Sequence, residues 1–308
     1  MEIQIQGEEK PRRALWAGVL SVAATGLGHI YCGKIEKGLV LFFISFVFAP
    51  IIASVITTGS SGISLFAVIC SVFLLVFVFF YAIIDAIIIA RRMTPSYFLK
   101  EYNRWYIYLT FIVVSITYPT TLANTIRDHI MQAYKIAGEN MTPSILKKDY
   151  VLINKAVYRK KSPEIGDIVV FVNPNQRHLD YIKRIVAMPG DTIEMIDNVV
   201  YINDTPLMYK AANPKDIKRI EKQISGEVLI EVNRTSQYKI MLSTGTENAI
   251  DLEKTTIPNG HCFVLGDNRN NSVDSRLFGP VPLSDVKGRV DYIYLPSESW
   301  TRFGKYRD

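Results

Sequence analysis

The chain has 308 residues, 49 % of them apolar, and carries 35 Lys and Arg against 29 Asp and Glu, a formal charge of +6. That length holds a membrane portion and one soluble domain. The cations are dispersed or sit at the ends of apolar runs, which argues against a nucleic-acid interface, where they would cluster with interleaved aromatics. Three cysteines (Cys32, Cys70, Cys262) have no C-x-x-C spacing, and four histidines (His29, His129, His178, His261) form no ligand pair on one helix face. Neither a metal nor any other cofactor is expected.

Residues 1–13 are polar and lack the pattern of a cleaved leader, so they read as a cytoplasmic tail. Residues 14–126 read as a membrane region. Its first apolar stretch, Ala14–Ile30, is broken by Gly18, Gly26 and Gly28, and reads either as a span or as a re-entrant segment, giving four spans or three. Leu39–Thr57, Ile63–Ala90 and Trp105–Thr125 are the other candidates, each near the ~20 apolar residues that a bilayer requires. Arg91, Arg92, Lys100 and Arg104 against Glu101 place the loop 91–104 on the cytoplasmic side, and the uncharged loop 58–62 outside. The third long run then exits outward, and everything after about residue 126 lies on the extracytoplasmic side. Asp85, in YAIIDAIIIARR, is an intramembrane acid and hence a functional candidate. Pairing with Arg91, Arg92 or a polar atom of a neighbouring helix is its structural reading. The glycine-rich stretch GLGHIYCGKIEKG with the later YAIIDA resembles the small membrane modules of the TM2 type, which imply no chemistry of their own.

From Val151 the period changes. VLINKAVY, DIVVFVNP, DYIKRIVAM, TIEMIDNVVYIND, EVLIEVN, YKIML, HCFVLGD and GRVDYIYLP are rich in β-branched and aromatic residues, and Pro/Gly/Asn/Asp turns separate them. The expectation is an antiparallel sandwich or barrel over 127–308, with 192–258 as a variable β insertion. Residues 214–223, rich in Lys and Glu, read as an exposed loop or helical turn.

Four segments in the second half follow one another in order: Gly138-Glu139-Asn140-Met141-Thr142-Pro143-Ser144-Ile145, Gly166-Asp167-Ile168-Val169-Val170-Phe171, Tyr181 through Asp191 (YIKRIVAMPGD), and Gly266 through Arg276 (GDNRNNSVDSR) with Gly279-Pro280-Val281. Together, and after a membrane span, they resemble the type I signal peptidases over about residues 105–295. The resemblance implies a serine nucleophile with a lysine base, a signal-peptide-bearing precursor as partner, and a multi-pass location in the cytoplasmic membrane. It assigns the general base to Lys183, an orienting hydroxyl to Ser272, and a bracing ion pair to Asp274 and Arg276, with Met141 beside the nucleophile. A lysine acts as a base near neutral pH when burial lowers its pKa, and DYIKRIVAM puts Lys183 on the strand face opposite Arg184.

The family pattern at the first segment is G-x-S-M-x-P, and this chain has Asn140 at the serine position. A carboxamide has no ionisable hydroxyl and is a poor nucleophile. Two functional classes follow. One is a signal-peptide-removing endopeptidase with the Asn140 N–H as oxyanion donor; Ser144, four residues on, would replace the serine only with the loop rethreaded, and Ser272 would approach a substrate from a different direction. The other is a signal-peptide-binding module that holds an extended segment without cutting it.

Overall fold

The computed structural model describes residues 10–58, 61–93, 97–159, 161–218, 220–243 and 251–306, and side chains throughout these except at 48–58, 61–69, 215, 216 and 221. The chain divides into two compact units, Met1–Ile126 and Arg127–Asp308.

The first unit is helical. Its elements are α1 (Ala14–Ala23), α2 (Leu27–Tyr31), α3 (Ile35–Thr58), α4 (Ser61–Arg92) and α5 (Trp105–His129). The ten residues of α1 rise only about 15 Å, half the hydrocarbon thickness of a bilayer. The glycine-broken stretch is two short helices. The break falls at Gly26, whose φ of 88° places it in the left-handed region that glycine enters without strain. Cys70–Arg92 and Trp105–His129 are long and apolar enough to cross a membrane. The candidate Leu39–Thr57 lies in α3, and its side chains from residue 48 onward fall outside the described residues, as do residues 1–9 of the tail. Phe73, Phe77, Phe80 and Ile84 of α4 are each more than half exposed, an apolar surface that hydrocarbon solvates better than water.

Inside this unit Ala17, Cys32, Ala86 and Ala90 pack α1 against α4. Of the expected partners Asp85 takes polar atoms of neighbouring helices and not Arg91 or Arg92: its Oδ2 lies 2.7 Å from His29 Nε2 on α2 and 2.6 Å from Lys37 Nζ on α3. The reason is distance along the helix, roughly 9–10 Å of rise to the arginines. Asp85 faces the α2–α3 turn, one to two turns away from the arginines at the helix end.

The second unit is an antiparallel β structure. In chain order its strands are β1 (Met131–Lys135), β2 (Tyr150–Asn154), β3 (Ile168–Val172), β4 (Asp180–Ala187), β5 (Thr192–Ile196), β6 (Val199–Ile202), β7 (Thr205–Pro206) and β8 (Met208–Ala211). After the short helix α6 (Pro214–Lys218) come β9 (Glu227–Asn233), β10 (Ser236–Leu242), β11 (Leu252–Thr256) and β12 (His261–Leu265). The helical turn α7 (Ser275–Phe278) precedes β13 (Val281–Pro282), β14 (Val286–Leu295) and β15 (Gly304–Lys305). The main sheet runs β1-β2-β14-β3-β4-β12-β13, with β15 added on β14. Two small sheets, β11-β5-β6-β7 and β10-β9-β8, are built from the stretch read as an insertion, of which 244–250 is outside the described residues.

The expected single run TIEMIDNVVYIND is instead the hairpin β5–β6. Asp197 and Asn198, with φ of 51° and 64°, supply the two positive-φ positions of a tight turn. Strand β1 was not legible in the sequence: MQAYK is too short and mixed to signal a strand, and pairing with β2 makes it one.

Alternation along β3 and β4 divides the core. Ile168, Val170 and Ile182 pack on one side with Met141, Val151, Ile153 and Ile293. Val169, Phe171, Tyr181 and Ile185 pack on the other with Cys262, Val264 and Phe278. Two adjacent residues of β4 thus sit in different environments, and these are Lys183 and Arg184.

Candidate active site

Lys183 lies in the middle of the main sheet, paired with Val169 on β3. It takes the face that carries Tyr181 and Ile185, and it is fully buried. Its Nζ meets no hydrogen-bond partner among the described residues and stands 5.6 Å from the centroid of the Tyr181 ring. Burial lowers its pKa from 10.5 to about 8; the carboxylates of Asp274 and Asp267 pull it back up, and Arg276 pushes it down. About a tenth of such an amine is neutral at pH 7, far more than of an exposed lysine, and that fraction can take a proton.

Across the strand pair, Arg184 faces Leu265 and Ile185 faces Val264 on β12. One step further along that register Lys183 comes opposite Gly266, the first residue of the GDNR turn. Gly266 is glycine because three groups close on it. Its N–H donates to Asp274 Oδ2 at 2.9 Å. A Cβ built there would collide with the Ser272 hydroxyl and would lie 2.6 Å from the Asn140 carbonyl oxygen. Gly266 therefore brings Asn140, Ser272 and Asp274 around one backbone point. Asn268 fixes the approach of the first segment: its N–H donates to the Asn140 carbonyl at 3.1 Å and its Nδ2 to the Glu139 carbonyl at 3.2 Å.

Asp274 and Arg276 form the expected pair, with two bonds of 2.8 Å from Nε and Nη2 to the two carboxylate oxygens, both side chains buried. They are not strand neighbours. Asp274 caps α7, its carboxylate accepting from the Arg276 N–H at 3.3 Å, and the helical turn folds the guanidinium back onto it. Arg276 also donates to the Arg269 carbonyl at 2.6 Å. The Ser272 Oγ is buried and, like Lys183 Nζ, has no hydrogen-bond partner among the described residues, so the two are not bonded to each other in this structure.

On the opposite face Arg184 ties all four segments together. It donates from Nε and Nη2 to the carboxylate of Asp267 (both 2.8 Å), from Nη1 to the Gly166 carbonyl (2.7 Å), and from Nη2 to the Ser144 hydroxyl (3.2 Å). Ser144 Oγ in turn donates to the Lys239 carbonyl at 3.3 Å. Its hydroxyl is engaged on the Arg184 face, with strand β4 between it and the Lys183 amine. This placement agrees with the reading that Ser144 could take the serine's role only if the loop were rethreaded. Met141 is 1 % exposed and packs in the core cluster with Ile168 and Val170, anchoring the segment that carries Asn140.

Residues 106–295 match the family model described as signal peptidase, peptidase S26. The chain belongs to this family. It is 33 % identical over 199 residues to "Signal peptidase I" of Aquifex aeolicus (strain VF5), covering 55 % of this chain and 77 % of that one. It is 31 % identical over 219 residues to "Signal peptidase I" of Rickettsia typhi (strain ATCC VR-144 / Wilmington), covering 60 % of this chain and 79 % of that one. A crystal structure of a signal peptidase I from Enterococcus faecalis V583, 29 % identical, covers 42 % of this chain and 97 % of that one with a TM-score of 0.27, too low to bear on the fold. The helices before residue 105 lie outside the family match.

One buried pair beside the candidate site escaped the sequence reading. Arg269, 1 % exposed, is bound through both terminal nitrogens by the buried carboxylate of Glu231, Nη2 to Oε1 at 2.7 Å. Glu231 also accepts from the Tyr238 hydroxyl at 2.8 Å. The only signal was an acid inside the apolar run EVLIEVN, which needs a cationic or hydroxyl partner once the strand covers it.

Proposed function

We propose that this chain acts on signal-peptide-bearing precursor proteins, at a peptidase-type site where Lys183 is the base and Asn140 occupies the nucleophile position. The observation that carries this reading is the buried amine of Lys183, lowered to about 8 and without a hydrogen-bond partner among the described residues, on the strand position facing Gly266. A partnerless buried amine costs stability, and a site for proton transfer is the chemistry that uses it.

In a signal peptidase of this design a serine hydroxyl would lose its proton to the lysine and attack the carbonyl before the cleavage site. The base would then return the proton to the departing amine, and water would hydrolyse the acyl-enzyme. The N–H at position 140 is suited to receive the developing oxyanion. Asn140 offers no oxygen to lose a proton, so the chain as written holds the precursor segment without cutting it. A second reading is supported by the partnerless Ser272 hydroxyl, packed against Gly266 together with the Asn140 carbonyl: Ser272 attacks in place of the missing serine and the signal peptide is removed. Charge placement supports a multi-pass anchor in the cytoplasmic membrane with the β unit on the extracytoplasmic side, and the exposed phenylalanines of α4 suit contact with lipid.

The test is purified full-length chain in detergent with a precursor bearing a small-x-small site. Binding without cleavage, together with cleavage by Asn140→Ser, supports the first reading. Cleavage by the chain as written, lost in both Lys183→Ala and Ser272→Ala, supports the second. Neither binding nor cleavage by either protein refutes both.

A further inference from the structure

The small sheet β10-β9-β8 belongs to the stretch read as an insertion, yet two buried arginines of the candidate site rest on it. Glu231 of β9 stands opposite Tyr238 on β10 and opposite Tyr209 on β8. Directly opposed residues of antiparallel strands share a face, so the three side chains form one row across the sheet. Glu231 is fully buried. The Arg184 guanidinium lies over the Tyr238 ring, 4.3 Å from its centroid, and the Tyr238 hydroxyl donates to Glu231 at 2.8 Å. Arg269 meets the same carboxylate end on, with Nη1 donating to Oε2 at 2.5 Å and Nη2 to Oε1 at 2.7 Å. Its Nε has no partner among the described residues, where every hydrogen bond of the side chain goes to Glu231.

Arg269 lies in the turn that builds the site. Met241 of β10 donates to the Asp267 carbonyl at 2.7 Å and accepts from the Arg269 N–H at 3.0 Å, so the turn runs along the edge of β10. From this turn the Gly266 N–H reaches Asp274, the Asn268 N–H reaches the Asn140 carbonyl, and the Arg269 carbonyl receives Arg276 at 2.6 Å. Asp274 and Arg276 are in turn charges that act on the Lys183 amine. Two backbone bonds along one strand edge fix where the turn lies but leave it free to tilt about that edge. A bidentate bond to a carboxylate on the next strand removes the tilt, because two parallel N–H donors fix a plane as well as a distance.

We propose that Glu231 is a positioning residue of the candidate site: through Arg269 it sets the turn 266–276, so that Asp274 and Arg276 sit beside Lys183 and Asn268 holds the segment that carries Asn140. Glu231 acts through Arg269, one side chain removed from the groups that react. The inference rests on the reading of Lys183 and position 140 as the reacting pair, but the setting of the turn is measurable whether or not the chain cleaves anything. It makes the small sheet part of the site, although none of the four ordered segments comes from it.

The experiment uses the full chain in detergent and hydrogen–deuterium exchange read by mass spectrometry. Glu231→Met/Arg269→Met removes the bond and fills its place with apolar side chains, a replacement of a buried ion pair that leaves the thermal midpoint level or raises it. Peptides containing 266–276 and 138–142 are expected to exchange about tenfold or more faster than in the unmodified chain, with β3 and β4 unchanged. Glu231→Asp keeps the charge and draws it back by one methylene. It is expected to loosen the same peptides by a smaller factor, and it decides the question if the double variant misfolds. In the Asn140→Ser background the double variant is expected to lose about a hundredfold in kcat with KM within about twofold, because the displaced groups are those that meet the reacting carbonyl. Unchanged exchange in 266–276 overturns the proposal. So does exchange that rises equally throughout the β unit, the mark of a pair that only stabilises the fold. A kcat in the serine background that the double variant leaves in place overturns it as well. If Asn140→Ser cleaves nothing, the functional reading fails and the exchange comparison still decides this one.

Discussion

Replacing Asn140 by serine makes the state of Lys183 measurable. The amine is buried and its pKa falls from 10.5 to about 8. At pH 7 a base of pKa 8 is about 9 % neutral and one of pKa 10.5 about 0.03 %, so burial raises the reactive fraction by about 300-fold. The Asn140→Ser chain is therefore expected to cleave a small-x-small precursor peptide at initial rates that climb about tenfold per pH unit from pH 6, bend near 8 and level above it. The neighbouring charges fix the direction of a second shift. Asp274 raises the lysine pKa and Arg276 lowers it, so Asp274→Asn in the serine background moves the bend below 8 as well as lowering the rate. Initial rates by chromatography of the cleaved peptide, in detergent and across that pH range, check both. A bend at or above 10, or a profile without one, refutes the assignment of Lys183 as the base.

Burial of Lys183 also has a cost that pH removes. Below pH 8 both folded and unfolded states are protonated and the full penalty applies; between 8 and 10.5 only the unfolded state stays charged and the penalty fades; above 10.5 it is gone. Lys183→Met is accordingly expected to stabilise the β unit by about 3 kcal/mol at pH 7 and by little above pH 10.5, read as a thermal or urea midpoint followed against pH. Gly266→Ala is expected to destabilise the unit and abolish cleavage in the serine background. Adding Ser272→Gly does not rescue it, because the Asn140 carbonyl oxygen still lies 2.6 Å from the new Cβ. Glu231→Gln leaves Arg269 buried and charged without its partner, for an expected loss of about 3–5 kcal/mol in urea unfolding.

The sequence by itself determined the order of events along the chain. Long apolar runs end near residue 126 and short alternating strands begin, because a bilayer and an aqueous β core impose different periods on apolar residues. It determined the family through four ordered segments, and it put asparagine at position 140 where the resemblance expects serine, since residue identity needs no geometry. It also put Lys183 and Arg184 on opposite faces, a direct consequence of the two-residue period.

Tertiary structure decided what those faces contain. Only the pairing of β4 with β3 and β12 shows that Lys183 lies in an apolar layer and opposite Gly266, while Arg184 gathers Ser144, Gly166 and Asp267. Partners separated by 40 and 83 positions leave no local pattern for a sequence to reveal. The same holds for Asp85, whose partners His29 and Lys37 lie far back in the chain and not in the adjacent arginines. The helical fold-back that joins Asp274 to Arg276 could be read as strand spacing because both geometries bring such residues together, and the cap at Asp274 decides between them. Local periods are written in consecutive residues. The environment of a side chain is written by whichever distant strand the backbone hydrogen bonds place beside it.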